Sequence, residues 1–348
     1  MFEYYADQIL FENLANPPLP EISSADARYY HQLGIRGVGA LMTNTSEFVT
    51  PAVNMFLYPQ ALWNPARDLK ASLKEYATLY FGDASLVAYF QELSQGLKQI
   101  LEICDYVHPG DAWDWMPAGQ ESEAATLHHL RGFEDGLVGP LPRALSILDE
   151  ALRKERNQLY RTRLDAEKAS LGVTLLQARL LYNRQKAIWF QHKYKQEHNP
   201  DFAMGAITER VLAGYTGERL ANFVARHGIR GRVSFGGGME SILGAGDEGA
   251  ELAREGYSVD PLEQHLIKGV GGVIVSGPVG SRAVLWTDVQ EVGVPVYPGA
   301  PGLTWQDEFG RQAALSNPHR FVSSLVVDAR GKSADKLLDA LAMSQPSS

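Results

Sequence analysis

Two short stretches carry the residue types that sugar recognition uses. The first is Glu3-Tyr4-Tyr5-Ala6-Asp7 and the second is Thr43-Asn44-Thr45-Ser46-Glu47. Each sets a carboxylate beside hydroxyl, amide or aromatic groups, which gives acceptors for the hydroxyls of a polyhydroxylated ligand and flat faces for its C–H surfaces. Asp7 and Glu47 have the make-up of a glycosidase's carboxylate pair, in which one group protonates the leaving oxygen and the other attacks or activates water. A structural account competes: both carboxylates cap the turns that follow them or pair with nearby arginines, and geometry decides between the two.

A third stretch, Asp105 to Pro117, places Trp113 and Trp115 in a loop punctuated by proline and glycine. The indoles could stack on sugar rings, and Asp105, Asp111 and Asp114 with His108 could hold a hard cation. Equally, the tryptophans could fold back to anchor the loop. The remaining strings say less. Gly244-Ala245-Gly246-Asp247-Glu248-Gly249 fits the spacing of a dinucleotide loop, but Asp247 and Glu248 would set two negative charges where a pyrophosphate must approach. His128 and His129 are adjacent, so on a helix they diverge by about 100° and share no face for a metal. Cys104 sits in an apolar, helix-like run, the setting of a buried and inert thiol. No metal site and no cofactor is expected.

These stretches fall at the ends of strand-like segments, where parallel α/β folds gather their chemistry. Met1 to Ile9 reads as a buried strand, followed by the proline loop of Pro17, Pro18 and Pro20. Ser23 to Asp26 begins a short helix through Tyr29, Tyr30 and Leu33 that Gly34 closes, and Ile35 to Met42 has strand length. Strand, helix and strand at this spacing predict a right-handed parallel crossover. From Pro51 the period becomes helical. Asn64 is the expected cap of a helix with Pro65 in its first turn and Leu69, Leu73, Tyr76 and Tyr80 along one face, stopped by Gly82; a second helix carries Leu86, Phe90, Leu93, Leu97 and Ile100.

A longer helical region runs from about Glu121 to about His227, with breaks expected near Gly136 to Pro142, at Asn199-Pro200 and at Gly214. Leu164, Leu171, Leu175, Ala178 and Tyr182 share one apolar face there. After the glycine cluster beginning at Gly228, strand composition appears at Gly272 to Val275, Arg282 to Trp286, Val294 to Tyr297 and Phe321 to Val327, and a helix is expected over Ser333 to Met343.

Composition limits the partners. The 348 residues carry a formal charge of −9, with no basic stripe to neutralise phosphates, so nucleic acid is not an expected partner. No run of about 18 apolar residues spans a membrane. Glu3 and Asp7 stand where a secretory signal would be basic and then apolar, and a single cysteine excludes an intrachain disulfide, so the cytoplasm is the expected compartment.

Taken in order, Phe2-Glu3-Tyr4-Tyr5-Ala6-Asp7, Leu19-Pro20, Tyr29-Tyr30 with Leu33 to Val38, Leu62-Trp63-Asn64-Pro65 and Tyr80-Phe81-Gly82 resemble a bacterial glycoside-hydrolase-like family of unknown function, related to α-glucuronidases and β-hexosaminidases. The likeness covers residues 1 to 110, and more loosely the helices to 227. Asn64 departs from it, since the family usually has aspartate there. The resemblance implies a carbohydrate-binding barrel, yet no position matches the family's acid and its partner carboxylate, so it assigns no catalytic residue.

The resulting expectation is an α/β chain: a partial or modified TIM-barrel end (β-α-β) with its following helices over 1–118, a helical bundle over 119–228 and a small α/β domain over 229–348. An eight-stranded barrel takes about 250 residues, so the two strands here imply a partner chain, a homo-oligomer or C-terminal strands that fold back to cover their edges. Two functions follow. One is a carbohydrate-active protein that binds or hydrolyses a glycosidic ligand near Tyr4, Tyr5, Asp7, Asn44 and Glu47, with help from Trp113 and Trp115. The other is a non-catalytic scaffold subunit of a larger assembly.

Overall fold

Proline opens the first helix, α1 (Pro20–Gln32), where a missing N–H costs nothing because the first turn has no acceptor for it. One side of α1 buries Ser23, Ser24, Ala27 and Tyr30, and the amides of Leu33, Gly34 and Ile35 close its end on the carbonyls of Tyr29, His31 and Tyr30. On either side lie β1 (Phe2–Glu3) and β2 (Gly39–Ala40), which pair in parallel with Phe2 opposite Gly39 and Glu3 opposite Ala40. The structure is a computed structural model that describes residues 2–3, 20–40, 52–101, 123–228, 252–262, 270–287, 304–307, 324–330 and 337.

Helices then follow without an intervening strand among the described residues. α2 (Ala52–Trp63) leads to α3 (Leu69–Phe81). The cap of α3 is Asp68, whose carboxylate accepts the amide of Ala71 at 2.7 Å, and not Asn64, which instead accepts from Ala66 in the preceding turn. A full negative charge interacts better than an amide with the positive end of the helix, which accounts for the later start. Gly82, at φ 75°, ends α3, and Asp83 caps a 3-10 turn that runs into α4 (Val87–Leu101).

α5 (Glu123–Val138) and α6 (Pro140–Lys154) meet at Gly139, with Pro140 again in a first turn. Glu155 accepts the amides of Arg156 and Asn157, an interruption absent from the expected breaks, before α7 (Gln158–Glu197). α8 (Pro200–Arg226) runs through the expected break at Gly214, because Ala213 and Tyr215 on either side are buried and their packing outweighs the roughly 1 kcal/mol that glycine costs inside a helix.

The chain divides into two compact units, Met1–Tyr182 with Leu220–Phe235, and Asn183–Arg219 with Gly236–Ser348. In the first, Tyr58, Phe81, Tyr89, Phe90, Leu97, Ile100, Phe133, Leu141 and Leu148 form the interior. Gly96 lets α4 and α6 approach closely there, since a Cβ at that position would stand 2.7 Å from Leu141.

In the second unit β3 (Ser258–Pro261), β4 (Val270–Gly277), β5 (Gly280–Thr287), β6 (Thr304–Asp307) and β7 (Ser324–Arg330) form one sheet in the order β3-β4-β5-β7-β6, every pair antiparallel. Val273, Val275, Val284, Trp286 and Val326 on one face pack on Ala203, Met204, Ile207, Val211 and Tyr215 of α8, with Trp286 stacked 5.2 Å from Tyr215. The alternate residues Ile274, Ala283, Leu285, Val327 and Ala329 are buried as well.

This architecture overturns the expected α/β class with its TIM-barrel end. Among the described residues helix predominates, the parallel pairing is two residues long, and no strand–helix alternation continues beyond β2. The larger sheet is built from antiparallel neighbours instead of crossovers. A strand buried on both faces has the same apolar composition in either kind of sheet, so composition alone did not reveal its direction.

Candidate functional site

Parallel pairing fixes one feature of the strand-end site. Because β1 and β2 run side by side in the same direction, the chain leaves Glu3 and Ala40 at the same end of the pair. From Glu3 it enters the stretch holding Tyr4, Tyr5 and Asp7, and beyond Ala40 it reaches Asn44 and Glu47. All five of these residues, together with Trp113 and Trp115, lie outside the described residues, as do Cys104, the aspartates of the tryptophan loop and the glycines from 236 to 249.

Among the described residues the densest collection of interacting polar and aromatic groups lies in the first unit, where α7 meets α3 and α4. Tyr76 and Tyr80 lie one turn apart on α3 and stack with ring centroids 5.1 Å apart, while Phe81 and Phe90 meet the Tyr76 ring edge-on at 5.9 and 5.7 Å. From α4 the Tyr89 hydroxyl donates to Oε1 of Glu167 on α7 at 2.7 Å. One turn earlier on α7, Arg163 donates from Nη1 to the Tyr80 carbonyl at 2.7 Å and holds its guanidinium carbon 4.4 Å from the centre of the Tyr80 ring.

Burial governs the protonation of this cluster. It raises the Tyr76, Tyr80 and Tyr89 hydroxyls above their ordinary range, and the neighbouring Glu167 charge adds to the effect on each. All three therefore stay protonated, and Tyr89 acts as a donor. Burial also raises the Glu167 carboxyl, with the Tyr89 hydrogen bond pulling the other way. Chemically the group is a half-buried carboxyl served by one tyrosine hydroxyl, at a junction of three helices that also holds stacked tyrosine rings. The signal in the sequence was a charge on an apolar stripe, since Glu167 lies three residues after Leu164 and four before Leu171.

A second set of buried polar groups lies in the other unit. Lys186 Nζ and Glu209 Oε1 stand 2.6 Å apart with side chains 14% and 6% exposed, and Arg210 contacts Gln191. Asn183 is buried on the same helix as Lys186. In the first unit a groove lined by Pro20, Ser23, Ser24, Leu57, Ala61, Arg67, Leu69 and Ser72 opens to solvent, but its polar groups already serve each other: Ser23 donates to the Pro20 carbonyl, Ser24 accepts from Arg28, and Arg67 holds Ser72 and Glu75.

Among the described residues no three His, Cys, Asp or Glu side chains are grouped to hold a metal ion, and no helix is long and apolar enough to cross a membrane. Comparison with protein-family models, curated proteins and solved structures gave no match.

Proposed function

We propose that the chain is a carbohydrate-active protein that binds a glycosidic ligand beyond the ends of β1 and β2. The observation that supports this is the parallel pairing of Phe2–Glu3 with Gly39–Ala40, which sends two separate acidic and hydroxyl-rich stretches out of adjacent strands at one end. The motifs shared in order with a glycoside-hydrolase-like family point the same way. In this reading Tyr4 and Tyr5 offer ring faces, Asn44 offers both a donor and an acceptor, and Asp7 and Glu47 accept from sugar hydroxyls. Where turnover occurs, one carboxyl protonates the leaving oxygen and the other attacks the anomeric carbon or activates water. The reading does not require a closed barrel. Titration calorimetry with a panel of neutral oligosaccharides and uronic acids is expected to give saturable heat with at least one of them, and silence across the panel sinks the proposal.

A second reading, a scaffold subunit, rests on a different observation. Ile22 and Tyr29 of α1 and Leu33 in the turn that follows it are 50%, 55% and 57% exposed. At the helical repeat they fall within about 40° of arc, an apolar stripe on the side away from the residues that α1 buries. In this reading the stripe seats a partner polypeptide. Light scattering on the eluting protein is expected to give a mass above that of one chain, or pull-down to recover a partner that Tyr29→Asp releases; a monomer that captures nothing contradicts the idea.

A further inference from the structure

Alone among the described α-helices, α2 carries no charged residue. Its inner side buries Val53, Asn54, Leu57 and Tyr58. Its outer side is apolar too. Met55 and Pro59 are exposed, and Trp63 is 93% exposed, more than any other large apolar side chain among the described residues. The three stand four residues apart, so they form a row about 12 Å long within about 80° of arc. A helix apolar on all sides is ordinarily enclosed on all sides. Pro59 sharpens the point, since inside a helix it gives up a backbone hydrogen bond, and at the surface its ring gains little packing from its own chain. The exposed apolar residues of α1 have a different setting, because Glu21, Arg28 and His31 are exposed on that helix as well.

From this row we propose that the outer face of α2 is where two copies of the chain meet, related by a two-fold axis that passes beside Pro59. In that pairing the two α2 helices run antiparallel, and the even spacing brings Trp63 of each copy to Met55 of the other, with the two Pro59 rings at the centre. Methionine suits the contact, because its flexible thioether adapts to an indole and sulfur sits favourably against aromatic rings. Charge selects the occupant. Each chain carries a formal −9, so two copies repel on the whole. An uncharged helix lets them touch without setting like charges together, and it gives an acidic or basic partner nothing to pair with. Area sets the strength. A tryptophan brings roughly 150–250 Å², so two of them with the neighbouring methionines and prolines make an interface at the small end, below about 1,200 Å² in all. Association of that size is reversible and follows concentration. The proposal is independent of the sugar-binding reading and of the scaffold reading, whose surface is α1.

The test is light scattering on the full chain as it elutes, over about a hundredfold range of concentration. The wild type is expected to rise from the mass of one chain toward that of two. Trp63→Ser changes a side chain that stands almost wholly in solvent, and is expected to weaken association at least about tenfold. Leu159→Ser, at an exposed position of α7, and Tyr29→Asp, which in the scaffold reading releases the partner, are both expected to associate as the wild type does. Symmetry supplies a second readout. Pro59→Asp and Pro59→Lys each free the helix of its proline; alone, each is expected to stay at one chain's mass because like charges meet at the axis, and an equal mixture is expected to recover the mass of two. A wild type at one chain's mass throughout, association that survives Trp63→Ser or is lost in Leu159→Ser or Tyr29→Asp, or a Pro59 mixture no heavier than its components would overturn the pairing. Where the wild type stays at one chain and sediments with vesicles of neutral phospholipid, the face belongs to a membrane instead.

Discussion

Asn183 is 1% exposed, and neither its amide nitrogen nor its amide oxygen finds a hydrogen-bond partner among the described residues. An amide taken out of water without compensation costs a few kcal/mol, whereas a leucine of similar size would gain from the same burial. Asn183→Leu is therefore expected to raise the unfolding free energy by about 1–2 kcal/mol, read from the urea midpoint at constant slope. A loss of stability would show that the amide is satisfied by bound water or by another group. Neither this residue nor Glu167 was legible as a site in the sequence. Both sit among apolar residues of α7, and a polar residue on such a helix acquires meaning only once the facing elements are known.

At the scale of elements, Gly34 and Gly82 close α1 and α3 in the same left-handed conformation, at φ 72° and 75°, but their surroundings differ. A Cβ at Gly34 would meet nothing within 4 Å, while one at Gly82 would stand 2.5 Å from the Tyr160 ring. Gly34→Ala is expected to cost only the backbone strain, about 1 kcal/mol, and Gly82→Ala measurably more because it also pushes against the α7 contact. Equal midpoints for the two variants in denaturant would mean that Tyr160 yields freely.

Both glycines were legible as stops, since glycine just past an apolar helical run has a defined role. The start of α3 was not. Asn64 and Asp68 are both competent caps, and the choice depends on where the packing of Leu73, Tyr76 and Phe81 sets the helix. Likewise Gly214 was expected to break α8, and the sheet beside it supplies the contacts that carry the helix through.

At the scale of the whole molecule, the existence of the long helices and of β4, β5 and β7 was legible from apolar period and strand composition. Their assembly was not. The unit boundaries at Tyr182 and Leu220 fall inside α7 and α8, where neither helix is interrupted. The barrel expectation extended one parallel crossover to a whole sheet, and the chain instead follows that crossover with seven helices among the described residues. The sugar-binding proposal rests on a local feature: β1 and β2 end side by side at Glu3 and Ala40, and the sequence continues from each into an acidic stretch. If the two stretches serve one ligand, losing either carboxylate must weaken the same binding event. The decisive measurement is the affinity of the tightest-binding saccharide for Asp7→Asn and for Glu47→Gln beside the wild type. Each variant is expected to weaken binding by about tenfold, or about 1.4 kcal/mol. An affinity unchanged in either would show that the two stretches do not share a site.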